Sequence, residues 1–213
     1  MTNVKISVLK DLEDIAICHQ SAFPKALASR QGRKFVSKML EWYIVSDRGT
    51  LFHLRDASKV VGYVGAIYVP EPGLIGAASS ITQYAFKSFI TSILIRPWLF
   101  LHPDVLRRVG FIFKNLSAKL GLKKDLGNLE SDSEDFKSHL GLVVIGVERT
   151  MQGKGVGARL MNFLAHMAKE DFKVNRLLLT VAKSNKKALK SYQSNGWTIR
   201  KDEGDHYQLV KEL

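Results

Sequence analysis

The chain has 213 residues, 46% hydrophobic and 24% charged, an ordinary globular composition that excludes disordered and fibrous classes and suffices for one sizeable core carrying an insertion. Its 32 Lys and Arg against 20 Asp and Glu give a net charge of +12, which favours anionic ligands, membrane surfaces or nucleic acid. The single Cys18 excludes an internal disulfide and fits a reducing compartment.

Met1 to Lys10 carries charge and is followed by Asp11, Glu13 and Asp14, unlike a signal peptide, so a cytoplasmic location is expected. Val4 to Leu9 reads as a first strand. Leu12, Ile15, Ala16, His19 and Phe23 then mark one face of a helix with an acidic first turn, ended by Pro24. A second helix is expected from about Gln31 to Val45. Thr50 to Arg55 and Val60 to Val69 form a hairpin across Asp56-Ala57-Ser58-Lys59, and Gly62 and Gly65 signal a bulge or a close backbone approach. In Pro70 to His139, the run Tyr84 to Leu101 is broken by Lys87, Arg96 and Pro97 and so is not a membrane span. Val105 to Leu122 reads as a helix and Lys123 to Asp135 as a polar loop.

Leu140 to Val147 is nearly all apolar or Gly, the pattern of a strand buried on both faces. It runs through Gly153, Gly155 and Gly157 into a helix with Leu160, Phe163, Leu164 and Met167 on one face. Glycines leave backbone N–H groups open to a ligand where a helix begins, so this is an anion site, best suited to a pyrophosphate. A P-loop is rejected because Gly155 follows Lys154 where Ser or Thr is required, and a dinucleotide fingerprint because the glycines recur at every second residue. Arg176 to Val181 reads as a further buried strand and Asn185 to Asn195 as a helix stopped by Gly196.

Gln152-x-x-Gly155-x-Gly157 resembles the cofactor motif of the GNAT acyl-CoA N-acyltransferases. Asn185, Ala188, Tyr192, Gly196 and Trp197 match the Asn-x-x-Ala-x-x-x-Tyr-x-x-x-Gly-Phe pattern that follows it there, with Trp in place of Phe. Two patterns at the right separation identify the last third of the chain as similar to that superfamily. The resemblance implies an α/β (α+β) GNAT fold, with a central mixed, mostly antiparallel sheet flanked by helices. It also implies one domain over 1–213 with a helical insertion, 70–138, before the cofactor strand. Ala22-Phe23-Pro24, Ser29, Gly32 and Phe35 resemble a pattern of GNAT proteins from bacterial surface-polysaccharide clusters, which makes an amino sugar the leading acceptor.

Moving an acetyl group from a thioester to an amine needs a polarised carbonyl, a neutral amine and a proton for the departing thiolate. The strand before the loop can offer N–H groups near Gly146 and Val147, provided it splays from its neighbour, and the resemblance implies such a splay. Tyr192 suits protonation of the sulfur because a tyrosine pKa of about 10 lies near the roughly 8.5 of a thiol, and the resemblance implies the same role. The expected acetyl-CoA contacts are Gly146, Val147, Gln152, Gly153, Lys154, Gly155, Val156, Gly157, Ala158 and Asn185, which also suits a helix cap. Lys154, Lys183 and Arg159 can each be phosphate ligands or solvated charge.

The general base stays open between Glu148, His139 and a relayed water. No metal is expected, because the six His are scattered and no Cys pair or His-Glu-x-x-His exists. Nucleic acid is not expected either, since the basic residues are dispersed. The sequence reads as an acetyl-CoA-dependent N-acetyltransferase acting on a small-molecule primary amine through a ternary complex. A protein or small-metabolite amine acetyltransferase and a non-catalytic CoA-binding module remain the alternatives. A peripheral membrane contact and a homodimer are left open for the insertion.

Overall fold

The computed structural model describes residues 4–71, 77–96, 98–99 and 137–213. Seven strands form one sheet in the order β1-β2-β3-β4-β5-β7-β6. They are β1 (Val4–Ile6), β2 (Gly49–Asp56), β3 (Lys59–Val69), β4 (His139–Val147), β5 (Arg176–Ala182), β6 (Thr198–Glu203) and β7 (His206–Glu212). Only β4 and β5 run parallel; every other pair is antiparallel. The expected mixed, mostly antiparallel sheet is therefore present.

The first strand is shorter than the apolar run suggested. The Asp11 carboxylate accepts the Val8 N–H at 3.0 Å and turns the chain into a 3-10 turn, Leu9–Asp11, that leaves Val8 and Leu9 exposed. Helix α1 (Leu12–Ala22) buries Leu12, Ile15, Ala16 and His19 at helical spacing, with Glu13 and Asp14 in its first turn as expected. The expected second helix is present as α3 (Arg33–Val45); a further single turn, α2 (Leu27–Arg30), precedes it, and Gly32 at φ +97 separates the two.

The insertion opens with two helices, α4 (Ala77–Tyr84) and α5 (Phe86–Ile95), which lie on α3. The Tyr84 hydroxyl donates to Glu41 at 2.9 Å and accepts from Lys38 at 3.0 Å, while Phe89 meets Phe35 edge to face. The expected helix Val105 to Leu122 and loop Lys123 to Asp135 lie outside the described residues.

One face of the sheet carries α1 and α3, with Val36, Leu40, Tyr43 and Tyr63 in their core. The other carries α6 (Val156–Glu170), whose Leu160, Met161 and Leu164 pack on Phe52, Val64 and Leu140, with Phe163 edge to face against Phe52. A short helix, α7 (Lys186–Gln193), follows β5 with Asn185 at its N-cap, and Gly196 ends that turn at φ +81. The C-terminal hairpin β6–β7 answers to no hydrophobic period: β6 is exposed throughout and Leu209 is the buried residue of β7. β7 is placed by its ladder to β5.

Both strand glycines do what close approach requires. A side chain at Gly62 would come within 2.7 Å of Val156 and 3.0 Å of Leu160, so Gly62 lets the cofactor-side helix seat on β3. Gly65 borders a register shift and faces the Tyr43 ring. Gly62→Val should therefore lower unfolding free energy by about 1–3 kcal/mol through overpacking, read as a lower urea midpoint at unchanged m-value.

Candidate active site

β4 and β5 pair at Leu140–Leu177 and Gly141–Leu178 and part beyond them. At the same point β4 carries one extra residue against β3: Gly65 faces Val144 and Ala66 faces Leu142, leaving Val143 unpaired and 40% exposed. The two features open a cleft of about 760 Å³ between the strands, walled by Val143, Val144, Ile145 and Val147 on one side and Thr180 and Val181 on the other. The expected burial of β4 on both faces is thus corrected: its second half is a cleft wall.

Backbone polarity along β4 follows from one bond. Glu148 N–H donates to Val61 O at 2.9 Å, so alternation turns Gly146, paired with Tyr63, toward β3 and turns Ile145 and Val147 toward the cleft, where β5 has left. The Val147 carbonyl on that side accepts from Gln152 Nε2 at 3.1 Å. Gly146 therefore differs from expectation: it does not line the cleft, and Ile145 takes its place as the second N–H. A side chain at Gly146 would collide with the Tyr63 ring.

The loop then presents a helix start. Gly153 and Gly155 adopt φ +80 and +79, conformations that penalise any side chain, with no atom within 4 Å of where one would project. The first helical bond of α6 runs from Arg159 N–H to Gly155 O at 3.0 Å, which leaves the N–H groups of Val156, Gly157 and Ala158 without helical acceptors. Gly157 is glycine for a different reason. Only Val147 lies near, at 3.9 Å, so the protein itself does not need the space a side chain there would fill.

Of the residues expected to contact the cofactor, Gln152, Gly153, Gly155, Gly157, Ala158 and Asn185 line the cleft. Val156 is 4% exposed and turns its side chain into the core, leaving only its backbone for a ligand. Lys154 stands off the lining, with its amine 4.0 Å from Met151 Sδ. Lys183 is engaged elsewhere, paired with Asp202 and lying over the Tyr207 ring. Arg159 does not line the cleft. Among the described residues the lysine that lines the cleft beside the loop is Lys187, which donates to Gln152 Oε1 at 2.7 Å. Its place on the first turn of α7, facing the loop, was not readable from spacing alone.

The Asn185 side chain accepts the Ala188 N–H at 3.2 Å and starts α7, which carries Tyr192 to the cleft. Tyr192 packs edge to face on the buried Trp197, ring centres 5.8 Å apart. Burial pushes its hydroxyl up to about 12, so it keeps its proton at neutral pH more firmly than a free tyrosine.

Helix α1 closes the opposite side with His19, Ala22 and Phe23. His19 is 5% exposed, and burial lowers its pKa to about 4. Its Nδ1 meets the Tyr63 hydroxyl at 2.5 Å, and Nε2 is buried without a partner. The Tyr63 hydroxyl has no other hydrogen-bond partner among the described residues, so it donates to Nδ1 and the neutral ring carries its proton on Nε2. His19 thus lines the cleft as a neutral imidazole, beyond its expected place on the apolar face of α1.

The expected base candidates lie apart from the cleft lining. Glu148 receives Lys59 at 3.0 Å and the Thr150 hydroxyl, which lower its pKa. His139 sits at the other end of β4, beside Val69. Among the described residues no Asp or Glu lines the cleft, and none form a group of three or more His, Cys, Asp or Glu fit for a metal.

Residues 109–197 match the acetyltransferase (GNAT) family model. A stretch of 56 residues, 26% of this chain, is 48% identical to acetyltransferase PseH of Campylobacter jejuni subsp. jejuni, and it spans 36% of that relative's length. Among solved structures, the PaiA N-acetyltransferase of Thermoplasma acidophilum in complex with coenzyme A superposes with a TM-score of 0.57 at 9% identity, covering 100% of this chain and 99% of that one. NAA60 of Arabidopsis thaliana in complex with acetyl-CoA does so with a TM-score of 0.58 at 13% identity, covering 100% and 99%. An acetyltransferase of Thermus thermophilus gives 0.56 at 19% identity, covering 100% and 97%. Residues 109–197 thus match the GNAT acetyltransferase family model, and the chain shares the fold of these solved acetyltransferases.

Proposed function

We propose that this protein is an acetyl-CoA-dependent N-acetyltransferase that passes an acetyl group directly to the primary amine of a small molecule, with an amino sugar as acceptor. The observation that carries this reading is the parting of β4 from β5. It sets two strand N–H groups, a bare helix N-terminus and a protonated tyrosine along one cleft. The whole chain is read as one domain, with residues 70–138 inserted before β4.

The residues fit acetyl-CoA. The N–H groups of Val156, Gly157 and Ala158 suit its pyrophosphate, with Gly157 giving the close approach and Lys187 the countercharge. When bound, acetyl-CoA supplies an activated acetyl thioester. The N–H groups of Ile145 and Val147 suit donation to a carbonyl oxygen, held rigid by the ladder of β4 to β3. Tyr192 holds a proton at the cleft, ready for a departing sulfur. Its raised pKa suits a donor and excludes a base at neutral pH.

Direct transfer is supported by Cys18, which burial pushes up to about 12 and which does not line the cleft, so no thiolate nucleophile is offered. No carboxylate among the described residues lines the cleft, and this reading sends the amine proton out through water. The side of the cleft closed by α1 carries Ala22 and Phe23 of the polysaccharide-cluster pattern with His19, and the hydroxyl residues Thr180 and Ser191 also line the cleft. Those groups suit a hydroxylated acceptor better than an alkyl amine.

Three outcomes follow from this reading. Calorimetric titration should give stoichiometric acetyl-CoA binding, weakened at least about tenfold by Gly157→Val, which fills the helix N-terminus without backbone strain; no binding by the native chain would overturn the reading. Tyr192→Phe should keep acetyl-CoA affinity and lower kcat by roughly 10²-fold or more, with amino sugars screened first as acceptors. His19 links pH to stability: its pKa is 6.5 unfolded and about 4 folded. Below pH 6.5 the unfolded chain therefore binds more protons than the native one, and stability that is full above that pH falls as it drops toward 4, by up to about 3 kcal/mol. Urea unfolding at about pH 7 and about pH 4.5 should show this loss, and His19→Gln should reduce it.

A further inference from the structure

A second groove, about 510 Å³, lies between the first turn of α3 and helix α5, and shares no lining residue with the β4–β5 cleft. Among the described residues Arg33, Lys34, Lys87 and Arg96 line it, and no Asp or Glu does. Arg33 shares its charge with Glu13 at 3.2 Å, on the exposed surface. Lys34 and Lys87 are exposed and make no ion pair among the described residues.

The backbone adds donors. Gly32 starts the 13-residue α3 at φ +97 with no side-chain cap, and the first helical bond runs from Val36 N–H to Gly32 O at 3.2 Å. The N–H groups of Arg33, Lys34 and Phe35 are left without helical acceptors. Gly32 also admits the Arg96 guanidinium: a side chain there would come within 2.6 Å of Nη1 and 3.1 Å of Nη2. Nη1 donates to the carbonyls of Arg30 and Gln31, which fixes the guanidinium over the helix start.

The groove also holds a buried amide with unmet hydrogen bonds. Gln31 is 4% exposed and lines the groove, yet neither its Nε2 nor its Oε1 has a partner among the described residues. Burying such a group without hydrogen bonds is unfavourable, and a ligand oxygen accepting from Nε2 relieves it. Lys34, Lys87 and Arg96, without a carboxylate partner among the described residues, converge there with three backbone donors and the amide.

We propose that the groove between the first turn of α3 and α5 binds a phosphate-bearing small molecule, held by the N–H groups of Arg33 to Phe35, the Arg96 guanidinium, the Gln31 amide and the amines of Lys34 and Lys87. The site does not depend on acetyl transfer in the other cleft. Its specificity is for a compact polyanion, because bidentate guanidinium donors and a helix N-terminus match phosphate oxygens.

The test is calorimetric titration of inorganic pyrophosphate into the full chain, in native form and as Gly157→Val, Lys34→Gln/Lys87→Gln, Gln31→Leu and the charge-matched control Lys10→Gln/Lys169→Gln. Binding is expected in the native, Gly157→Val and control proteins. It should weaken at least about tenfold in the lysine double variant and in Gln31→Leu, whose apolar replacement keeps the melting temperature. Three results overturn the proposal: no native binding, loss confined to Gly157→Val, which assigns pyrophosphate to the other cleft, or equal weakening in the control, which assigns it to diffuse charge.

Discussion

The parting of two parallel strands governs this structure. β4 and β5 share only two register positions, and everything described at the cleft occupies the wedge beyond them. A parallel pair normally satisfies both strands' backbone groups; here β5 leaves and β4 keeps its β3 ladder, so the N–H groups of Ile145 and Val147 have no strand to meet. The extra residue at Val143 is the local device, since a bulge bends the strand that carries it. Gln152 occupies one of the freed groups by donating to the Val147 carbonyl, and so ties the loop to the strand at the point of divergence.

Glycine has three distinct uses around that wedge. Gly153 and Gly155 permit left-handed turns that deliver the start of α6 to the cleft. Gly157 leaves room that no protein atom uses. Gly146 admits the Tyr63 ring from the neighbouring strand, and through its hydroxyl Tyr63 holds His19 at the opposite wall. One missing side chain on β4 thereby makes room for the tyrosine that holds an imidazole of α1.

Burial sets the protonation states along the cleft. His19 is kept neutral and Tyr192 is kept protonated, both by desolvation and not by charged neighbours. Charge is instead concentrated where solvent and helix dipoles can receive it, at Lys187 beside the α6 loop and in the basic groove at the start of α3. The net charge of +12 is therefore distributed in part over two separate helix N-termini, each with backbone donors exposed.

The local chemistry of the chain was legible in its sequence. The loop glycines, the Asn185 cap, the hairpin and the amphipathic faces of α1 and α6 are written in neighbouring residues, because turns, caps and helical periods depend on residues within a few positions of one another. What tertiary structure alone decided involves partners far apart in the chain. Val143 and Ile145 read as core until β5 is seen to diverge, and Gly146 reads as a ligand contact until Tyr63 is found against it. Lys187 and His19 enter the cleft only because Gln152 and Tyr63, 35 and 44 residues away, meet them. The C-terminal hairpin, with no apolar alternation of its own, takes its place from the β5 ladder, an interaction that no local pattern encodes.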